Sequence, residues 1–207
     1  MMKGEIKYMK EQINIKELTK FIKDYISNSK IIKDSGLDNK SFTLAFTDSK
    51  IKDIIENSRN TINKDDKLYY KKILGIHLDY MTLDKYNNIV IKNKSKIYLF
   101  PENMKYVYLS DVKSSETIET IAKKAILHEL RHHLQIDIIN EINFFSRILD
   151  FEKEYPDSID LMDYINQLNF LRDKDSDRFA KTFILENRIT SFDYFRDQLN
   201  KLIDNIK

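Results

Sequence analysis

The 207-residue sequence predicts an α+β fold, predominantly helical, with one small antiparallel sheet. Three observations carry that expectation. The chain holds only 3 Gly and 2 Pro, too few for a loop-rich sandwich and suited to helices with short connections. Apolar residues recur at helical spacing near the N-terminus and through nearly all of the second half. Between these regions, short apolar runs rich in β-forming residues are bounded by polar turns.

Ile15, Leu18, Phe21, Ile22, Tyr25 and Ile26 fall at helical spacing, and Gly36 punctuates the end of that region. Residues 1–40 therefore read as an N-terminal helical extension, ahead of one compact domain over 41–207. SFTLAFT, residues 41–47, reads as a short strand. KIKDIIENS (50–58) and KDDKLYYKKIL (64–74) read as helices. NIVIK (88–92) and SKIYLF (95–100) read as strands joined by a polar turn at Asn93. Pro101, Glu102 and Asn103 form the next turn, and KYVYLS (105–110) is the third strand. The expected sheet covers 89–110, with the strand at 41–47 placed to join it.

Helix then takes over. Ser114 or Ser115 caps a helix whose first turn carries Glu116 and Glu119, and which runs to about Ile139. A continuation or second helix reaches Tyr155 and stops at Pro156. Asp157 or Ser158 restarts the pattern, and 161–188 carries one or two helices. Thr190 and Asp193 form a capping-box pattern for the last helix. Phe192, Phe195, Leu199 and Leu202 on that helix read as ordinary core.

Basic and acidic residues number 35 and 33, interleaved, for a net charge of +2. No basic field points to nucleic acid, and no helix-turn-helix or aromatic RNA-binding motif is evident. With no cysteine, a disulfide scaffold, a thiolate metal site and a cysteine nucleophile are excluded. MMKGEIKYMKEQ lacks the apolar core of a signal peptide, and no run of about 18 apolar residues exists to span a membrane. A soluble cytoplasmic protein is the expectation.

Three of the four histidines lie in ILHELRHHLQ, residues 126–135. His128 and His132 are one helical turn apart, on one face, and can share a metal ion. Glu129 is rotated about 100° from His128, beside the metal position, where it can take a proton from water. This is the H-E-x-x-H pattern of zinc peptidases. Ile118, Ile121, Ala122, Ala125, Ile136 and Ile139 lie on the same side as the motif. Leu127, Leu130 and Leu134 form a second apolar stripe, and Lys123, Lys124 and Arg131 a thin polar strip. The helix is expected to be buried on two sides with the motif facing inward. His133 reads as a partly exposed helix residue and His77 as an isolated core or surface histidine.

A hydrolytic zinc site usually has three protein ligands and an open position. The third is expected to be a carboxylate or His77. DKDSDRFAKTF offers Asp173, Asp175 and Asp177. Relative to the apolar face set by Ser176, Phe179, Ala180, Phe183 and Ile184, they lie about 50°, 110° and 90° off centre, respectively. Asp173 is therefore preferred, and Asp177 can orient a ligand histidine from behind or serve as an alternative ligand.

ILHELRHHLQ followed by DKDSDRFAKTF resembles the small zinc metallopeptidases of the ImmA/IrrE type and related phage and plasmid H-E-L-R-H proteins. Those pair the first motif with a later helix reading roughly E-x-E-A-x-x-F-A, against which Asp173, Asp175, Ser176, Phe179 and Ala180 align. The resemblance covers about residues 89–187. It implies a zincin-like fold with a small sheet beside the metal-bearing helix. It also implies one Zn²⁺ per chain on His128, His132 and Asp173, with Glu129 as general base. Arg131 stands where glycine is common in that family, and Asp173 is one methylene shorter than the family's glutamate.

The expected activity is hydrolysis of an intracellular protein or peptide. KYVYLS is the expected edge strand for an extended substrate, and Tyr155, Tyr164 and Tyr194 are candidate donors to the oxyanion. The alternative is a non-catalytic, zinc-stabilised binding or regulatory protein with its coordination sphere closed by protein.

Overall fold

The computed structural model describes residues 13–29, 32–33, 42–46, 71–78, 81–91, 95–111, 115–156 and 161–205. The helix expected over 50–58, most of the one over 64–74, and the signals at Gly36, Asn93, Ser114, Asp157 and Ser158 lie outside these. The described elements are α1 (Ile15–Asn28), β1 (Phe42–Phe46), β2 (Gly75–Leu78), β3 (Met81–Leu83), β4 (Ile89–Ile91) and β5 (Ser95–Leu99), then α2 (Pro101–Ser110), α3 (Ile118–Glu141), α4 (Phe144–Glu154), α5 (Leu161–Glu186) and α6 (Asp193–Asp204). Helix predominates, and the strands are few and short, as the composition predicts.

The chain divides into two compact units, Met1–Leu78 with Lys96–Ile126, and Asp79–Ser95 with Leu127–Lys207. In the first, Asn14 caps α1 by accepting from the Lys16 amide at 2.9 Å. Leu18, Ile22 and Ile26, each four residues apart, form its buried face. The Lys105 ammonium on α2 donates to the Ile13 carbonyl at 3.1 Å. The three-stranded sheet has the order β1-β5-β2. β2 and β5 run antiparallel from Gly75↔Leu99 to Leu78↔Lys96, and the Phe100 amide extends the pairing to the Leu74 carbonyl.

Two expectations here are corrected. KYVYLS is not a strand but most of α2. Pro101 opens that helix with its backbone already set at a helical φ, Glu102 favours the first turn, and Pro101 and Met104 bury one face at i, i+3. That local start overrides the β preference of Tyr106, Val107 and Tyr108. NIVIK and SKIYLF are likewise not partners. β4 pairs with β3, from Met81↔Ile91 to Leu83↔Ile89. The turn between them is built by Asp84, whose Oδ1 accepts from the Tyr86 and Asn88 amides, with Asn87 at φ 61°.

The second unit packs the β3–β4 hairpin with α4, α5, α6 and most of α3. Its core holds Ile136, Ile139, Phe144, Ile148, Leu168, Phe195, Leu199 and Leu202, so the apolar face of α6 is ordinary core. Asn143, at φ 54°, separates α3 from α4, and α4 ends at Glu154, with Tyr155 as its cap just before Pro156. The segment from Leu161 forms one helix of 26 residues.

Two capping expectations are also corrected. Thr117, rather than Ser115, caps α3, its hydroxyl accepting from the Thr120 amide at 3.2 Å. At the start of α6, Phe192 is the capping residue and makes no side-chain cap. The Thr190 and Ser191 carbonyls instead accept from Arg131.

Candidate metal centre

The centre is built on α3 and α5. Both apolar stripes of α3 are buried, Ile121, Ala122, Ala125, Ile136 and Ile139 on one and Leu127 and Leu130 on the other. Glu129 and His132 are buried, and His128 and His133 are half-buried. Arg131 departs from the expected polar strip. It is 1% exposed, held by charge-assisted partners rather than by water.

His128 Nε2 and His132 Nε2 approach to 3.0 Å, and Asp173 Oδ1 lies 3.2 Å from His132 Nε2. His128, His132 and Asp173 offer donor atoms that all fall within 4.8 Å of one another. Tetrahedral zinc, with bonds of about 2.0–2.2 Å to nitrogen and oxygen, needs donors about 3.3 Å apart, a spacing met by the His128–His132 and His132–Asp173 pairs, while the set of three spans up to 4.8 Å. The donor set, two imidazoles and a carboxylate with no thiolate, is one that zinc accepts.

The imidazole backs decide what the fronts present. His128 Nδ1 lies 2.8 Å from Asp177 Oδ1 and donates to that carboxylate. His132 Nδ1 lies 3.0 Å from Gln135 Oε1, an acceptor. Each neutral ring therefore turns an Nε2 lone pair toward the other at 3.0 Å. Two lone pairs at that distance repel. A proton or a metal cation must lie between them.

The protonation energetics match. Burial opposes the His128 cation, but Asp177's hydrogen bond and the negative charges of Glu129, Asp177 and Asp173 outweigh it and raise the pKa. Burial dominates at His132 and lowers its pKa, helped by the charges of Arg172 and His128 against the pull of Asp173.

The three aspartates of α5 separate cleanly. Asp173 faces the paired Nε2 atoms and is 53% exposed, so the centre opens toward solvent. Asp177 stands behind His128, the orienting position expected for it. Asp175 is 1% exposed and fully engaged. Its Oδ2 accepts from Arg131 Nε at 2.7 Å and Gln135 Nε2 at 2.9 Å, and its Oδ1 accepts from Arg131 Nη2 at 3.2 Å. Both of its oxygens are taken by these partners, and it is not in the His128–His132–Asp173 group. His77 belongs to β2 in the other unit and is not in the group.

Gln135 and Arg172 were not singled out in the sequence, and Ser176, read there as part of the apolar face, lies with its Oγ 3.4 Å from His132 Nδ1. Gln135 follows His132 by three residues and Arg131 by four, a spacing that puts it beside both on a helix. That was the available signal. Of the tyrosines, Tyr155 is exposed, Tyr164 packs on the core, and Tyr194 lies under the Arg178 guanidinium at 4.5 Å. Comparisons with protein-family models, with curated proteins and with solved structures return no match to this chain.

Proposed function

We propose that the chain is a zinc-dependent peptidase acting on a protein or peptide, with His128, His132 and Asp173 as ligands and Glu129 as general base. The observation that carries this is the approach of the two Nε2 atoms to 3.0 Å, with a carboxylate oxygen 3.2 Å from one of them. The H-E-L-R-H resemblance adds the zincin-like arrangement and the family's hydrolytic chemistry to the proposal. A cytoplasmic setting is part of it as well. Among the described residues no helix is long and apolar enough to cross a membrane.

A bound zinc ion supplies Lewis acidity and brings the pKa of water to about 7. The protein supplies the rest. Asp177 and Gln135 hold the two rings so that both Nε2 atoms point to one place. Glu129, on the turn that starts at His128, takes the proton of the attacking water and passes it to the leaving amine. Its burial keeps that carboxylate away from bulk solvent, and its charge is felt at His128. The exposure of Asp173 favours an open centre over the closed coordination of a structural zinc site.

The test pairs metal analysis with a digest of a complex peptide library read by mass spectrometry. Wild-type protein is expected to hold one zinc per chain and to cleave. Glu129→Gln is expected to keep the zinc and lose cleavage by at least about a hundredfold. Wild type without zinc refutes the centre. Zinc-loaded wild type that cleaves nothing leaves the non-catalytic zinc-binding protein as the surviving alternative.

A further inference from the structure

We infer that Arg131, Asp175 and Gln135 form a positioning relay that fixes the ring tautomer of His132 and ties it to the turn before α6. Its consequence for metal affinity rests on the zinc reading above. Its structural content does not.

The relay is read from acceptors that have no alternative. Gln135 Nε2 lies 3.0 Å from the Arg172 carbonyl oxygen and 2.9 Å from Asp175 Oδ2. Both are acceptors only, so the amide nitrogen must face them. Turning the amide over would set its oxygen against a carbonyl and a carboxylate, in a site where Asp175 and Gln135 are buried. Gln135 Oε1 is thereby left facing His132 Nδ1 at 3.0 Å, where it accepts that ring's proton. The Nε2 lone pair then points at the metal position.

Asp175 is held in turn. Arg131 grips both its oxygens, Nε to Oδ2 at 2.7 Å and Nη2 to Oδ1 at 3.2 Å. The remaining guanidinium donors reach the Thr190 carbonyl at 3.2 Å and the Ser191 carbonyl at 3.1 Å. Its plane is covered by Phe192 at 3.4 Å and Phe179 at 5.0 Å from the guanidinium carbon. Residue 131, about 100° around the helix from His132, thus serves its neighbour through Asp175 and Gln135. A buried ion pair is weak evidence for stability, since apolar replacements of equal volume often fold as well. Directional control of a neighbouring group is the use to which the geometry points. Partners behind a ligand histidine typically carry about 10- to 100-fold in metal affinity.

The experiment uses full-length protein. Imidazole ¹⁵N shifts, recorded without metal at mildly alkaline pH, report which nitrogen of His132 carries the proton. Wild type is expected to show Nδ1–H at His132. Gln135→Met keeps the volume, removes the acceptor and leaves the Arg131–Asp175 pair. It is expected to lose the Nδ1–H preference and weaken zinc binding about 10- to 100-fold in chelator competition. A wild-type His132 protonated on Nε2 overturns the relay and needs no variant to see it. So does Gln135→Met with both tautomer and zinc affinity unchanged. If wild type binds no zinc but shows Nδ1–H, the zinc reading fails and the relay stands.

Discussion

Asp177 Oδ1 meets His128 Nδ1 at 2.8 Å, one helical turn along α5 from Asp173, whose Oδ1 lies 3.2 Å from His132 Nε2. Two carboxylates at i, i+4 on one helix thus serve two imidazoles at i, i+4 on another. They do different work, because Asp173 faces the metal position and Asp177 the far side of a ring. Asp177→Ala is expected to weaken zinc binding about tenfold, at the low end for such partners because its side chain is 79% exposed. Asp173→Ala removes a proposed ligand and should cost clearly more. Chelator competition on the two variants checks the order, and a larger loss at Asp177 would reverse the assigned roles.

The paired rings also set a pH dependence. His128 has its pKa raised above 6.5, so in the zinc-free fold its stabilising contribution is full below that value and is lost as pH rises through the folded value. His132 has its pKa lowered, so its contribution is full above 6.5 and is lost as pH falls toward the folded value. Between the two folded values one proton sits on His128 Nε2 and is accepted by His132 Nε2. Zinc must displace that proton, so affinity should rise about tenfold per pH unit in this window. Above the folded value of His128 it should level off. Asp177→Ala removes the hydrogen bond that most raises His128 and should move the levelling to lower pH. Zinc dissociation constants measured across neutral pH check both the slope and the displacement.

The legible parts of the site were those governed by spacing along one helix. The pairing of His128 with His132 follows from 3.6 residues per turn, and the same arithmetic ranked Asp173, which the fold brings to that pair, first among three acids on α5. The parts that were not legible depend on what another segment supplies. Arg131 looked solvated because a charged residue is exposed by default, and the partners that bury it come from Asp175 and from the carbonyls of Thr190 and Ser191. The sheet shows the same division. β4 and β5 were both recognisable as strands, but their partners were not. The turn signal at Asp84 and Asn87 that pairs β4 with β3 is as strong as the one at Asn93 and was passed over. Tyr106 and Tyr108 favour a strand, yet Pro101 begins a helix there.

Removing one half of the buried Arg131–Asp175 pair leaves a charge with no water to receive it. Asp175→Ala is expected to destabilise the fold by about 3–5 kcal/mol. The double variant Arg131→Met, Asp175→Leu removes both charges and should recover most of that loss. Urea unfolding of the two variants and the wild type checks this. A double variant as unstable as Asp175→Ala would show that the pair is more than charge compensation in the core.

Asn140, on the last turn of α3, uses both ends of its side-chain amide on one residue of β4. Its Oδ1 accepts from the Ile89 amide at 2.8 Å and its Nδ2 donates to the Ile89 carbonyl at 2.9 Å. That is how a neighbouring strand would bind Ile89, so a helix side chain completes the edge of a two-stranded hairpin. The hairpin has little else of its own, because two strands of three residues are marginal without support. The Ser146 hydroxyl adds one bond to the Tyr86 carbonyl at the turn. Asn140→Ala therefore leaves a buried donor and acceptor at Ile89 unsatisfied, at about 1–3 kcal/mol for each group. The loss should be local, because the Ile139, Phe144 and Phe195 core does not depend on the amide. Hydrogen exchange at the Ile89 amide is expected to accelerate by at least about tenfold while amides in the middle of α5 keep their protection. Uniform acceleration through α5 as well would mean that the hairpin and the helical core open as one.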